Sequence, residues 1–223
     1  WELGKNYRFN TTSAQALRAR TYLYMGRWSD ALEASKDVLS VYNELEDMNN
    51  STTLPNSYKS KESIVALERF SSNLYTAVDM PASEFISLYR SGDQRRTKYF
   101  KRVTSSTYSL LKGRSDEFSC SFRTAEFYLT AAEAAARLGH TTDAINYLTP
   151  LMTKRLNTSA YQTTTALIGT MTEEELIQEI LDERARELAF EGHRWYDLRR
   201  TSQPALTRVY DGTTYTLLPE QYT

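Results

Sequence analysis

The stretch ERARELAFEGHRWYDLRR, Glu183 to Arg200, crowds carboxylates and guanidinium groups around a Gly-His-Arg-Trp core. Glu187, Glu191 and His193 are residue types of general acid–base catalysis, which needs such groups within hydrogen-bond reach of a substrate held in a cleft. Their spacing favours another role. At about 100 degrees per residue, Ile177, Ile180, Leu181, Arg184, Leu188, Glu191, Trp195 and Leu198 share one stripe of a helix that runs on through Gly192. Arg184 and Glu191 are then charges in an apolar seam. Glu187 lies three residues from Arg184, and Arg194 three from Glu191, so a short ionic ladder is expected to neutralise both. Orphaning a buried charge costs roughly 3–5 kcal/mol, whereas the intact pair is close to neutral. The segment therefore reads as a structural lock, with Trp195 as a core anchor and His193 as incidental.

The elements that must hold this segment are mainly helical. Thr172 and Glu175 form a capping box, and Glu173, Glu174 and Glu175 suit the positive end of a helix dipole, so one helix is expected over 172–200. Two segments resemble each other at an offset of 113 residues: ALRARTYLYMGRWSDALEASKDVL from Ala16 and LTAAEAAARLGHTTDAINYLTPLM from Leu129. Gly26 matches Gly139 and Asp30 matches Asp143. Each reads as a helix, a glycine-marked turn and a second helix, the hairpin of a tetratricopeptide repeat, near 13–45 and 122–155. Small residues such as Ala19 and Ala132 allow close approach of the paired helices.

Between the hairpins the chain is irregular. SIVALERF from Ser63 reads as a short strand and SSNLYTAVDMP as a loop, while Phe85, Leu88 and Tyr89 give a short helical face that ends at Gly92-Asp93. Val103 to Phe122 reads as a loop or hairpin, Asn157 to Thr170 as a polar linker, and Tyr210 to Thr223 as a surface strand or tail with a DGT turn. Loop tyrosines suit flat ligands such as sugar rings, since their faces are apolar and their hydroxyls polar. Asn73, Tyr75 and Tyr108 are the candidate ligand contacts.

Composition excludes several classes. No apolar run approaches the roughly 18 residues of a membrane span. The net charge is −1, and Lys and Arg are interspersed with acids, so nothing points to a nucleic-acid partner. Cys120 is the single cysteine and His140 and His193 lie far apart, so no disulfide, metal site or other cofactor is expected.

The Glu183–Arg200 stretch resembles the signature of the SusD/RagB family, E-R-x-x-E-L-x-F-E-G-x-R-W-x-D-L-x-R. Glu183, Arg184, Glu187, Leu188, Phe190, Glu191, Gly192, Arg194, Trp195, Asp197, Leu198 and Arg200 match it. YLYMGRWSDAL, KESIVAL, LYRSGDQRRTKYF and FRTAEFYLTAAEAAARLG follow in the family's order. The resemblance implies a single SusD-like domain over 1–223, an α/α superhelix of tetratricopeptide-like hairpins with loop-rich insertions. It also implies that Arg184, Glu187, Glu191, Arg194, Trp195 and Asp197 are structural, and that ligand contacts come from variable loops. The function implied is non-catalytic capture of oligosaccharides, in some members peptides, at the outer face of the outer membrane. The implied partner is a SusC-like TonB-dependent transporter. The lipidated cysteine of the family has no counterpart here, so the anchor and much of the N-terminal region are expected outside this chain.

Two other readings compete. A tetratricopeptide scaffold would bind a protein in a helical groove, although well-separated hairpins with long insertions speak against a continuous one. An enzyme would use Glu187, Glu191 and His193.

Overall fold

The structure, a computed structural model, describes residues 7–67, 81–105, 107–112 and 121–222. It begins with α1 (Thr11–Tyr24) and α2 (Trp28–Val41), followed by the short strand β1 (Ser63–Val65). Small elements come next: α3 (Ser83–Ile86), α4 (Arg95–Tyr99), β2 (Phe100–Arg102), β3 (Tyr108–Leu110) and β4 (Phe122–Arg123). The second half holds α5 (Thr124–Arg137), α6 (Thr141–Arg155), α7 (Thr158–Ile168), α8 (Glu173–Glu187) and α9 (His193–Arg200), then β5 (Leu206–Tyr210) and β6 (Thr213–Leu217). The architecture is mainly α, as expected.

Both helical hairpins turn in the same way. After α1, the Gly26 amide donates to the Leu23 carbonyl and the Arg27 amide to that of Tyr22; after α5, Gly139 and His140 bond Ala136 and Ala135 likewise. These are paired Schellman caps, which require a left-handed residue, and Gly26 and Gly139 have φ of 69° and 75°. The sequence spacing suggests well-separated hairpins, yet α2 packs directly on α5 and the two hairpins stack as neighbours. The intervening 80-odd residues are a side excursion, not a spacer.

Helix α5 is central, packing against α1, α2, α6 and α8. Its alanines 131, 132, 134, 135 and 136 are all fully buried, so their small size lets helices close in on every side. A smaller aromatic cluster of Ile86, Tyr89, Tyr99, Phe100 and Leu110 lies apart, under the short elements.

Two further expectations are corrected. The polar stretch after α6 is not a linker: Asn157 caps α7 by accepting the Ala160 amide at 2.9 Å, and Thr164 and Ile168 are buried. The helix expected over 172–200 stops at Glu187 and restarts at His193, with Phe190 and Gly192 left-handed at φ 60° and 81°. The break has a cause. In a continuous helix the Glu187 carbonyl would bond the Glu191 amide; here it accepts Arg123 Nη2 at 2.8 Å and Lys112 Nζ at 3.0 Å, and the Glu191 amide turns to Leu188. Two cations thus satisfy the negative end of α8.

The fold makes one graded prediction. A Cβ at Gly139 meets no atom within 4 Å, so Gly139→Ala bears only the left-handed strain and should cost about 1–2 kcal/mol. At Gly92, φ is +85° and a Cβ would lie 2.8 Å from Ala160 Cβ and from the Asn157 amide. Gly92→Ala should therefore destabilise more than Gly139→Ala in urea titration; the reverse order would contradict this packing.

Candidate functional site

Glu187 closes α8 with no solvent exposure and faces three arginines from three different segments. Arg123 Nη1 donates to its Oε1 at 2.6 Å, Arg155 Nε to Oε2 at 2.9 Å, and Arg95 Nη1 to Oε2 at 3.0 Å. Each arginine then reaches a second acid. Arg95 grips both oxygens of Asp93 and of Glu183, Arg123 both oxygens of Glu191, and Arg155 the Glu62 carboxylate. Arg186 spans Glu183 and Glu179, and Lys112 closes the set on Glu191. The acids Glu62, Asp93, Glu179, Glu183, Glu187 and Glu191 thus face Arg90, Arg95, Lys112, Arg123, Arg155 and Arg186, a balance that burial demands.

The electrostatics follow. Burial alone would raise Glu187, but Arg155, Arg123 and Arg95 hold it well below the usual carboxylate range. Burial likewise opposes Glu191, which Arg123 and Lys112 hold down to about 2. Burial pulls Lys112 down to about 8.

The buried charges of this segment are paired, but not as a local ladder. Arg184 bonds Asp197 at 3.3 Å rather than Glu187, and Arg200 grips Glu133 of α5 with two bonds of 2.7 Å while also bonding Asp197. Arg194 is exposed, with no ion pair among the described residues, and Trp195 is 41% exposed, stacked on Tyr222 at 5.0 Å instead of entering the core. The break before α9 resets the phase of every later residue, so the stripe expected through Gly192 does not form. His193 is buried, its Nδ1 3.3 Å from the Tyr24 hydroxyl, and burial lowers it to about 4. It is a core residue rather than an incidental one. Glu187 and Glu191 are each met by more than one cation, and neither lines the cleft described below.

A cleft of about 580 Å³ opens where the network meets the surface. Asp93, tied to Arg95, forms part of it, so the buried charges hold its floor. The backbone seals the other side: the Gln94 amide donates to the Arg155 carbonyl and the Asn157 amide to that of Gly92, both at 2.9 Å. Strand β2 pairs antiparallel with β3, setting Arg102 opposite Tyr108, and Tyr108, Gln94, Thr97, Arg96, Lys101 and Arg102 line the opening. Tyr108 is half-buried against the aromatic cluster that contains Phe100. Of the three candidate contacts, Tyr108 therefore stands in this cleft, while Asn73 and Tyr75 lie outside the described residues. The polar lining was missed. Its signal is the run from Arg90 to Arg102, where six cations accompany the single acid Asp93, a one-sided block within a chain otherwise mixed in charge.

The sequence model of the SusD family matches residues 56–217, most of the chain and all of the network's arginines. The chain belongs to the SusD family. Solved SusD structures share its fold. A SusD superfamily protein of Bacteroides thetaiotaomicron is 22% identical with a TM-score of 0.74, covering 93% of this chain and 53% of its own. A SusD-like carbohydrate binding protein of Bacteroides vulgatus is 21% identical with a TM-score of 0.67, covering 95% and 51%. A SusD superfamily protein of Bacteroides fragilis is 23% identical with a TM-score of 0.69, covering 98% and 54%. The chain thus spans about half the length of these SusD structures. No curated protein matches it.

Two tests address this SusD lock. Glu187→Gln leaves three buried arginines short of charge and should destabilise the protein by roughly 3–5 kcal/mol, read by chemical denaturation. A variant of unchanged stability would refute the lock. Acid should also destabilise. The unfolded His193 takes a proton near 6.5 and the native one near 4, so the unfolded state binds more protons in that window and stability falls as pH drops through it. Glu191, lowered from 4.5 to about 2, adds a loss at lower pH. His193→Gln should flatten the change in stability between pH 6.5 and 4 and leave the lower part in place.

Proposed function

We propose that this chain is the part of a SusD-like surface protein that helps capture oligosaccharides and pass them to a TonB-dependent outer-membrane transporter, without chemical turnover. The carrying observation is the cleft: a half-buried tyrosine beside amide, hydroxyl and guanidinium groups, built on elements that the charged network holds rigid. A tyrosine face covers the apolar side of a sugar ring, while the surrounding donors meet its hydroxyls. The relative from Bacteroides vulgatus described as a SusD-like carbohydrate binding protein supports the same class.

The rest of the reading comes from the family. The chain is taken as one SusD-like unit, the C-terminal portion of a longer protein held to the outer membrane by a lipid outside this segment. Asn73 and Tyr75 are proposed to add to the ligand surface. Among the described residues no helix is long and apolar enough to cross a membrane. The peptide-binding alternative shares the same cleft and would need backbone partners along an extended groove.

Titration calorimetry against a glycan panel tests the proposal. Tyr108→Ala should weaken the bound glycan about tenfold or more while the protein keeps a cooperative thermal transition, because Tyr108 lies at the edge of its cluster. Hydrolysis of the glycan by the purified protein, or preferential binding of peptides, would reject it.

A further inference from the structure

The cleft carries charge that the protein does not balance. Of the charged residues lining it, Arg90 is held by Glu179 through two bonds and Asp93 by Arg95. Lys98, from the same basic run, turns away and donates to the Ser51 carbonyl at 2.6 Å. Arg96, Lys101 and Arg102 remain, all exposed and none with a carboxylate partner among the described residues. The whole chain has a net charge of −1, so this excess is local.

Arg102 is also preorganised. Its Nε donates to the Thr104 carbonyl and its Nη2 to that of Ser105, both at 3.0 Å, so the turn of its own hairpin orients the guanidinium. A guanidinium has five N–H donors, and Nη1 remains for a ligand. The register sets Arg102 opposite Tyr108, which places a donor fork beside the aromatic ring.

Like charges gathered in a cleft repel one another, and the low-dielectric walls focus their field outward. A neutral sugar does nothing to relieve this. A carboxylate or sulfate does, through short charge-assisted bonds that arginine makes in pairs. We infer that the cleft selects an acidic glycan, whose carboxylate or sulfate groups meet Arg96, Lys101 and Arg102 while a ring lies on Tyr108. This rests on the cleft being the glycan site. Three cations are few for a nucleic acid, whose binding scales with the number of phosphates neutralised.

The test compares a galacturonic acid tetramer, a sulfated galactose tetramer and a neutral galactose tetramer by calorimetry on the full chain. The parent protein is set beside Arg96→Gln/Lys101→Gln, Arg102→Gln and Tyr108→Ala. At least one acidic tetramer should bind about tenfold tighter than the neutral one in low salt, and the advantage should shrink as salt rises. The double variant should lose most of that advantage, about tenfold, and leave neutral binding unchanged. The acidic tetramer that binds identifies the source of the anion. If the neutral tetramer binds as tightly as both acidic ones and Tyr108→Ala still weakens it, the inference falls and the glycan site stands. If a tetramer binds but no substitution in the cleft alters it, both fall. Failure of both acidic tetramers to bind, or preference for an oligonucleotide or acidic peptide, overturns the inference.

Discussion

The rest of the structure leans on one carboxylate without solvent, Glu187, facing three arginines that come from β4, α4 and the end of α6. A buried ion network of this kind contributes little net stability, because desolvating its members offsets most of their attraction. What it does impose is a single arrangement. Each guanidinium is held by at least two acids in fixed planes, and any other docking of these segments would leave charges unpaired. The network even sets the end of α8, since Arg123 and Lys112 take the carbonyl that another helical turn would have used.

This explains how a region with few regular elements keeps a defined shape. Helices α3 and α4 and strands β1 to β4 are two to five residues long, too short to stand on their own backbone bonds. Their apolar support is the modest aromatic cluster around Tyr99 and Phe100. Glu62 beside β1, Asp93 and Arg95 before and within α4, and Arg123 of β4 anchor them to α8 and α6 instead. The cleft borders that network through Arg90 and Asp93, and its charged rim is what the network leaves over.

A second set of ion pairs serves the helical half. Arg20 holds Glu126 with two bonds of 2.6 Å, and Arg200 holds Glu133, so the two buried carboxylates of α5 are each met by an arginine from a neighbouring helix. Alanine makes α5 approachable from all sides, and these pairs tie it to α1 and α9.

Local chemistry was enough for much of this protein. The glycine-capped hairpins, the Thr172 capping box, the β1 strand and the burial of charge in the Glu183–Arg200 segment depend on neighbours within a few residues, or on a motif of fixed spacing. The partners of those charges depend on tertiary contact. Glu187 could not be assigned to Arg95, Arg123 and Arg155 by periodicity, because they lie 92, 64 and 32 residues away and meet only after the two hairpins stack. For the same reason the end of α8, the exposure of Trp195 and the burial of His193 escaped a helical projection: the carbonyl that breaks the helix is claimed by side chains from elsewhere in the chain. Tyr108 was visible as a loop aromatic, but the charged cleft around it exists only because some cations of one basic run are drawn inward and others are left at the surface.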